Sequence, residues 1–423
     1  MSSFFKYEKQ LIKKLSGSSL FLYSLIRMSL YHNADTMARD GTRAQHIRKY
    51  NLLSIINLKL IILGLYSISK LKPNKHTIFF THEKNLIKKD DLWTDRYLDK
   101  HSVNDIDTII TFPGSTADET KNFYIAGSRN SKQDFIYGHL FYILEFILLP
   151  IGILLTLLKT KNIVELISSI FLSPIQYSGA SLLKLLFIVV RIHGAYVVYY
   201  LFLKLIKPKK IYILSRYDPK SVLLCTLCNK LNIDCTELQH GVVYPDHAGY
   251  YYHPDLQIYY PKYILLFDGY SCSVLLELNM PASSLLTVDS CMKSSISCSW
   301  AGETIVIIGQ WSITHQIVSQ LNRYNTNNYK VYYKLHPVNE KQQMDVIRSH
   351  AKNQNITVIN TGDIIDKFKN TGVLFVGSFS TVLIEAFASG IAIAKLEIPE
   401  SEKLSNWFSK NSIEPLRFYL SEK

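Results

Sequence analysis

The sequence predicts an α/β protein of two doubly wound parallel-sheet domains, with apolar helices inserted into the first. Three observations predict it. The chain has 423 residues, more than one ordinary core holds. Short apolar runs alternate with helical patterns through the second half, and the first half repeats this alternation around two long apolar stretches.

The second half is the clearer. Thr304 to Gln310 reads as a buried strand and Trp311 to Tyr324 as a helix. Lys330 to Leu335 is the next strand, Asn339 to Ala351 a helix, and Ile356 to Asn360 a third strand. Asp363 to Lys369 is a short helix, Gly372 to Val376 a strand, Thr381 to Ser389 a helix, and Ile391 to Leu396 a fifth strand. Such a series implies a parallel sheet covered on both faces. In the first half His76 to Phe80, Asp107 to Phe112, Lys210 to Ser215, Asp234 to Leu238 and Tyr263 to Phe267 read as strands, with a helix at Lys220 to Leu231. Ser290 to Gly302 is rich in small polar residues and has no period, so the boundary is placed there: residues 1–295 and 300–423. The fold class is therefore α/β with two Rossmann-like domains, and the ligand is expected in a cleft at the carboxyl ends of both sheets.

Composition narrows the partners. A hydrophobic content of 48% excludes a disordered chain, and 47 Lys plus Arg against 34 Asp plus Glu give +13, which favours anionic partners. Nucleic acid is not expected, because the charge is dispersed and no binding motif is present. The six cysteines form no disulfide framework for a chain this long, and Cys225 and Cys228, the one C-x-x-C pair, lie in a helical pattern and read as packing residues. The apolar stretch Leu20 to Leu30 is interrupted by Arg27 and followed by no small-residue cleavage site, so secretion is not expected. Phe141 to Leu158 is eighteen residues long with Glu145 as its only charge, and Leu185 to Leu203 runs into Lys204, Lys207, Lys209 and Lys210. Both read as buried or interfacial helices in preference to spans, within an insertion at about 135–207. The lysines suit an anionic membrane surface, so a cytoplasmic location, peripheral to the inner face of the cytoplasmic membrane, is expected.

Candidate chemistry lies at strand ends, where sheet scaffolds mount it. Gln239-His240-Gly241 ends a strand of the first domain. His240 is a candidate base or leaving-phosphate partner, or a satisfied structural histidine. Asp218, in Tyr217-Asp218-Pro219, is a candidate base or a helix cap. In the second domain Lys334-Leu335-His336-Pro337 ends one strand and Gly377 to Thr381 another. Lys334 and His336 can meet a phosphate oxygen, and Ser380 and Thr381 stand at a helix start that gathers an anion or simply caps itself. Glu385 and Gln310 are candidates for the nucleoside side. On the acceptor side Gln239, Arg96, Tyr250 and Tyr251 are candidates, the tyrosines as flat faces for a sugar or as a packed loop. No D-x-D stands at a strand end, so neither metal nor cofactor is expected.

In this order, from Tyr217-Asp218-Pro219 through Gln239-His240-Gly241, Gly309-Gln310 and Lys334 to Pro337 to Ser380-Thr381 with Glu385, the motifs resemble bacterial capsule and O-antigen glycosyltransferases of the GT-B fold. The group includes Kdo transferases, CMP-sugar sialyltransferases and CDP-glycerol glycerophosphotransferases, and the resemblance covers about Lys210 to Leu396. It implies donor-phosphate contacts at His336, Ser380 and Thr381. It also implies transfer from a nucleotide sugar, CMP-linked by preference, to a surface polysaccharide or lipid-linked glycan. A base at His240 is implied by the polyol-phosphate branch, whereas CMP-sugar enzymes use an acidic residue as the base; Phe267-Asp268-Gly269 matches their D/E-D/E-G signature only in part. A CDP-polyol phosphotransferase and a non-catalytic polysaccharide-assembly protein are the alternatives.

Overall fold

The structure, a computed structural model, describes residues 2–15, 17–38, 76–82, 85–89, 92–101, 103–112, 134–171, 179–287, 302–336, 340–351, 356–359, 364–369 and 371–420, with isolated positions at 68, 69, 71, 73 and 300. Pro337 and nearly all of the expected linker, Ser290 to Gly302, lie outside the described residues. The chain forms two compact units. The first comprises Met1–His240, His247–Phe267 and Leu276–Leu286, and the second Gly241–Asp246, Asp268–Leu275 and Thr287–Lys423.

In the first unit the helices are α1 (Ser2–Lys14) and α2 (Gly17–Ala38), followed by β1 (Thr77–His82), a hairpin of β2 (Leu86–Lys89) and β3 (Leu92–Asp95), and α3 (Arg96–Lys100). Then come β4 (Thr108–Phe112), β5 (Asp134–Tyr137), α4 (His139–Ile147), α5 (Leu149–Leu158), α6 (Thr160–Phe171) and α7 (Gly179–Ile206). They are followed by β6 (Lys210–Ile213), α8 (Pro219–Leu231), β7 (Asp234–Leu238), β8 (Tyr263–Leu266), α9 (Gly269–Glu277) and β9 (Leu285–Thr287). One sheet runs β5-β4-β1-β6-β7-β8-β9. Its registered pairs are parallel. Counted along the chain within this sheet the order is 3-2-1-4-5-6-7, the doubly wound order, and its switch point lies between β1 and β6.

The period of two along each strand decides which side chain enters which core. Ile78, Phe80, Ile110, Ile211 and Ile213 face one layer with Leu22, Tyr199, Leu203 and Leu223 of the helices. Phe79, Ile109 and Tyr212 face the other, against Leu98, Val103 and Ile106. Because both faces are covered, these strands read as continuous apolar runs.

Inside the α1–α2 layer, Arg27 is buried and its guanidinium binds the buried Glu8, with Nη2 to Oε2 at 3.0 Å and a second contact from Nε. Tyr23 donates its hydroxyl to Glu8 Oε1 at 2.6 Å. The charge that interrupts the apolar stretch is thus matched within the fold.

The two apolar stretches pack on each other. Phe141 to Leu158 folds as α4 and α5, whose axes bend by 55° at Leu148, because Pro150 lacks the N–H that would continue the first helix. A Cβ on Gly152 would stand 2.4 Å from the Val190 carbonyl oxygen and 3.0 Å from the Gly194 nitrogen, so glycine is what lets α5 reach the α7 backbone. The Glu145 carboxylate receives Arg191 Nη2 of α7 at 3.0 Å and Lys220 Nζ of α8 at 2.9 Å. Leu185–Ile206 has the length and apolarity to cross a membrane, and half of that window is buried inside the protein.

The second unit contains β10 (Thr304–Ile308), α10 (Thr314–Leu321), β11 (Lys330–Lys334), α11 (Glu340–His350), β12 (Ile356–Ile359), α12 (Ile364–Phe368), β13 (Leu374–Gly377), α13 (Thr381–Ala388), β14 (Ala392–Lys395) and α14 (Ser405–Lys410). Its sheet runs β12-β11-β10-β13-β14, all parallel, which is the order 3-2-1-4-5 with a switch point between β10 and β13. Ile305, Ile307, Leu374 and Val376 enter one core, and Val306, Ile308 and Phe375 the other. The predicted strands and helices of this half are observed to within a few residues.

Two segments that follow first-unit strands belong to the second unit. Val242 joins its core, Val243 N–H donates to Ser271 Oγ at 3.0 Å, and Tyr270 hydroxyl donates to the Lys403 carbonyl at 3.3 Å. The division therefore interleaves, with its last crossing at 286–287, where the sequence predicts one cut between 295 and 300. The physical cause is Val242 and Tyr244 after β7 and Tyr270 at the start of α9, which pack in the second unit's core.

Candidate functional site

In the first unit the polar residues gather at the carboxyl ends of β1, β6 and β7. The turn after β6 places Ser215, in the left-handed region at φ 53°, and Tyr217 beside the end of β7. Their hydroxyls lie 3.1 and 3.0 Å from His240 Nε2. Two hydroxyls on one imidazole nitrogen fix the ring and supply a path for a proton. Tyr97 donates its hydroxyl to the His240 carbonyl at 3.3 Å, and its ring meets the imidazole edge to face at 6.5 Å between centroids. His101 Nε2 bonds the Gln239 carbonyl at 2.8 Å, so residues around α3 hold the backbone on which His240 stands.

The support for α3 is itself buried and polar. Asp95 accepts from Thr81 Oγ1 at 2.6 Å and from Tyr97 N–H at 2.8 Å. Arg96, half-buried, donates to Asn85 Oδ1 at 3.3 Å and covers the Tyr97 ring at 5.5 Å.

Beneath this layer lies a carboxylate that the sequence reading missed. Glu237 on β7 is fully buried, and its Oε1 accepts from Arg216 N–H at 3.1 Å and from Tyr250 hydroxyl at 2.9 Å. Glu237 Oε2 and Arg216 Nη2 have no hydrogen-bond partner among the described residues. The Arg216 guanidinium stacks 4.3 Å above the Tyr260 ring. Burial pushes the Glu237 pKa up to about 7, opposed by the Arg216 charge and the two donated hydrogen bonds and assisted by Cys235. The folded state holds this proton more tightly than the unfolded chain does. Stability from this group is therefore fully present below the ordinary carboxylate range and is lost as pH rises from there through about 7. Wild-type protein is expected to lose of order 3 kcal/mol between pH 5 and pH 8 from this source. Glu237→Gln is expected to flatten that slope in thermal denaturation; equal slopes for both proteins would refute the assignment.

Several expected site residues take structural places. Gln239 is buried, and its Oε1 accepts from Phe267 N–H at 3.0 Å. Tyr250 is buried with its hydroxyl on Glu237, so neither presents its polar group to an acceptor. Tyr251 lies beside the charges of Lys9, at 6.0 Å, and Arg27, at 5.9 Å. Asp218 caps α8, accepting from Lys220 N–H at 2.9 Å, which is the structural alternative its place before Pro219 allows. Cys225 and Cys228 are buried in the first-unit core, with Cys225 Sγ 3.7 Å from Cys235 Sγ.

In the second unit the polar loops follow β10, β11 and β13, on both sides of the switch point. A Cβ on Gly309 would stand 2.5 Å from both the Lys334 carbonyl oxygen and the Tyr333 ring, so glycine lets the β10 end lie against the β11 end. Gln310 Nε2 donates to the Phe379 carbonyl at 2.7 Å, tying the loop after β10 to the loop after β13. Ser380 caps α13, accepting from Val382 N–H at 3.2 Å, and Thr381 and Glu385 lie on that helix. Ser378 is buried, and its Oγ has no partner among the described residues. Lys334 Nζ donates to the Leu335 carbonyl at 3.1 Å. Around His336 the backbone is clamped by buried Gln343, whose amide donates to the His336 carbonyl at 2.7 Å and accepts from His336 N–H at 3.0 Å. Lys403 Nζ lies 4.0 Å over the Phe379 ring and adds positive charge there. Among the described residues no group of three or more His, Cys, Asp or Glu converges as a metal site.

Residues 308–387 match the family Alpha-2,8-polysialyltransferase (POLYST), a segment that runs from the last residue of β10 into α13 and holds Gln310, Lys334, His336, Ser380, Thr381 and Glu385. The chain is thus an α/β protein of two Rossmann-like units, the second with a glycosyltransferase signature, and it resembles the bacterial capsule glycosyltransferase group. No curated protein matches it. Among solved structures it is similar to UDP-GlcNAc 2-epimerase from Methanocaldococcus jannaschii in complex with UDP-GlcNAc and UDP, at 11% identity and TM-score 0.43, over 78% of this chain and 86% of that one. Anabaena HepE in complex with UDP-glucose is similar at 10% identity and TM-score 0.41, over 78% and 82%. UDP-N-acetylglucosamine 2-epimerase from Rickettsia bellii is similar at 12% identity and TM-score 0.40, over 78% and 81%.

Proposed function

We propose that the protein is a metal-independent glycosyltransferase of the GT-B type that transfers a sugar from a CMP-linked donor to a hydroxyl of a surface polysaccharide or lipid-linked glycan. The observation that carries this reading is the coincidence of the polysialyltransferase match with the strand-end loops at the second unit's switch point. The donor phosphate is assigned to Lys334, His336, Ser380, Thr381 and the amino end of α13, and the nucleoside to Gln310 and Glu385. His240 is assigned the acceptor proton. The acceptor oxygen bonds to the anomeric carbon as the bond from that carbon to the donor phosphate breaks; the proton passes to His240 and CMP leaves on the cationic loops. Arg96 is retained on the acceptor side. The reaction uses no cofactor, and the chain works from the cytoplasm, at the inner face of the membrane.

Thermal stabilisation of the full chain by CMP, CDP, UDP and GDP tests the donor. CMP at a hundred times its Kd is expected to stabilise by about 2.7 kcal/mol, and His336→Ala to remove most of it. A preference for UDP or GDP would overturn the CMP assignment. Stabilisation by none of the four would overturn the enzyme and favour an assembly protein.

A further inference from the structure

A cavity of about 380 Å³ lies in the first unit at the carboxyl end of α7, lined by Lys204, Lys207 and Lys209 together with Leu203, Pro208 and Leu231. Lys207 occupies the helix-ending position in the left-handed region, φ 46°, which favours glycine, and its N–H closes the helix on the Leu203 carbonyl at 2.8 Å. The backbone therefore accepts strain to set a lysine at the rim. All three lysines are exposed, and none makes an ion pair among the described residues.

The same helix carries an apolar surface. Leu183 and Leu201 are 18 residues apart (201 − 183), as are Phe187 and Leu205, which is about five turns, so the four share one face. All four are exposed, while Gly194 at the middle of that face is covered by α5. On α5 itself, Ile151, Leu154 and Leu158 stand opposite the buried Gly152 and Thr156 and are also exposed. Exposed apolar residues at both ends of that face and along α5, with three lysines that make no ion pair among the described residues at the carboxyl end of α7, are complementary to an acidic phospholipid surface: acyl chains against the apolar side chains, phosphate on the lysines. A soluble phosphate has no use for the apolar face.

We propose that this cavity holds the phosphate headgroup of an anionic phospholipid, while the outer faces of α5 and α7 lie in the adjoining acyl layer. The inference rests on the peripheral membrane location proposed above, and is independent of the donor.

The test is co-sedimentation of the full chain with vesicles of phosphatidylcholine alone or with added phosphatidylglycerol. Wild-type protein is expected to prefer the acidic vesicles. The triple variant Lys204→Gln, Lys207→Gln, Lys209→Gln is expected to lose about a hundredfold in partitioning on them, at about fivefold per lysine. Leu154→Ser with Leu158→Ser is expected to lower partitioning on both compositions. Unchanged thermal unfolding of these surface variants keeps the comparison valid. Equal binding of wild-type protein to both vesicles, or a triple variant that keeps the preference, would overturn the proposal. Release by inorganic phosphate at constant ionic strength would assign the cavity to a soluble phosphate instead. Transfer to a soluble acceptor, measured in the same triple variant, is expected to persist, so a failure of lipid binding is read separately from a failure of the glycosyltransferase assignment.

Discussion

His240→Ala is expected to lower glycan transfer by about 10²–10⁴-fold while leaving the fold intact. The imidazole is half-buried at the end of β7 and receives Ser215 and Tyr217 at its Nε2, and removing it deletes the group assigned to the acceptor proton. The Gln239–His240 backbone keeps its ties to His101 and Tyr97, since both are made to main-chain carbonyls. The decisive measurement is turnover at saturating donor and acceptor beside thermal unfolding. A loss in turnover with unchanged nucleotide stabilisation supports the assignment. Near-normal turnover refutes it, and makes His240 a structural histidine that anchors the Tyr217 turn. Tyr217→Phe separates the two roles further: it keeps the ring packing against His240 and removes only the hydroxyl, so a graded loss of turnover points to the proton path.

Glu8→Ala is expected to destabilise the first unit by about 3–5 kcal/mol. Both partners of the Glu8–Arg27 pair are buried, and removing the carboxylate leaves a guanidinium uncompensated, with the Tyr260 hydroxyl at 3.5 Å as its remaining hydrogen-bond partner among the described residues. The Tyr23 hydroxyl loses its acceptor at the same time. Replacing both residues with apolar ones of similar volume, Glu8→Leu with Arg27→Met, is expected to restore much of the loss, because it removes the desolvated charge altogether. Hydrogen exchange of α2 amides in the full chain reads the change without assuming that both units unfold together. An Arg27→Met single variant as stable as wild type would show that the pair is solvated instead.

The strand pattern was the most legible part of the sequence. Thr304–Ile308 lies where its apolar run is bounded by Glu303 and Gly309, and the other strands of the second sheet follow the same logic, because each sits between helix layers. The apolar stretch Leu20 to Leu30 was visible, but not that it packs as α2 on α1, because Arg27 interrupts it; the β2–β3 hairpin escaped, having no turn signature. The residues assigned to the donor, from Gln310 to Glu385, were picked out by their place after three strands, and the structure has those strands. The acceptor-side choices were less legible: Tyr250 and Gln239 look like surface groups in a tyrosine-rich and polar context, yet both are buried, because Glu237 and the Phe267 N–H take their polar atoms.

The sequence by itself determined the alternation, and with it two parallel sheets, since periodicity and apolar runs are local properties of the chain. Only the tertiary structure decided the strand orders, the interleaving of the units, and which charges are matched. Arg27 with Glu8, and Glu145 with Arg191 and Lys220, join residues distant in the chain. A buried charge is tolerated only where another element brings its partner, and no local pattern records which element that will be.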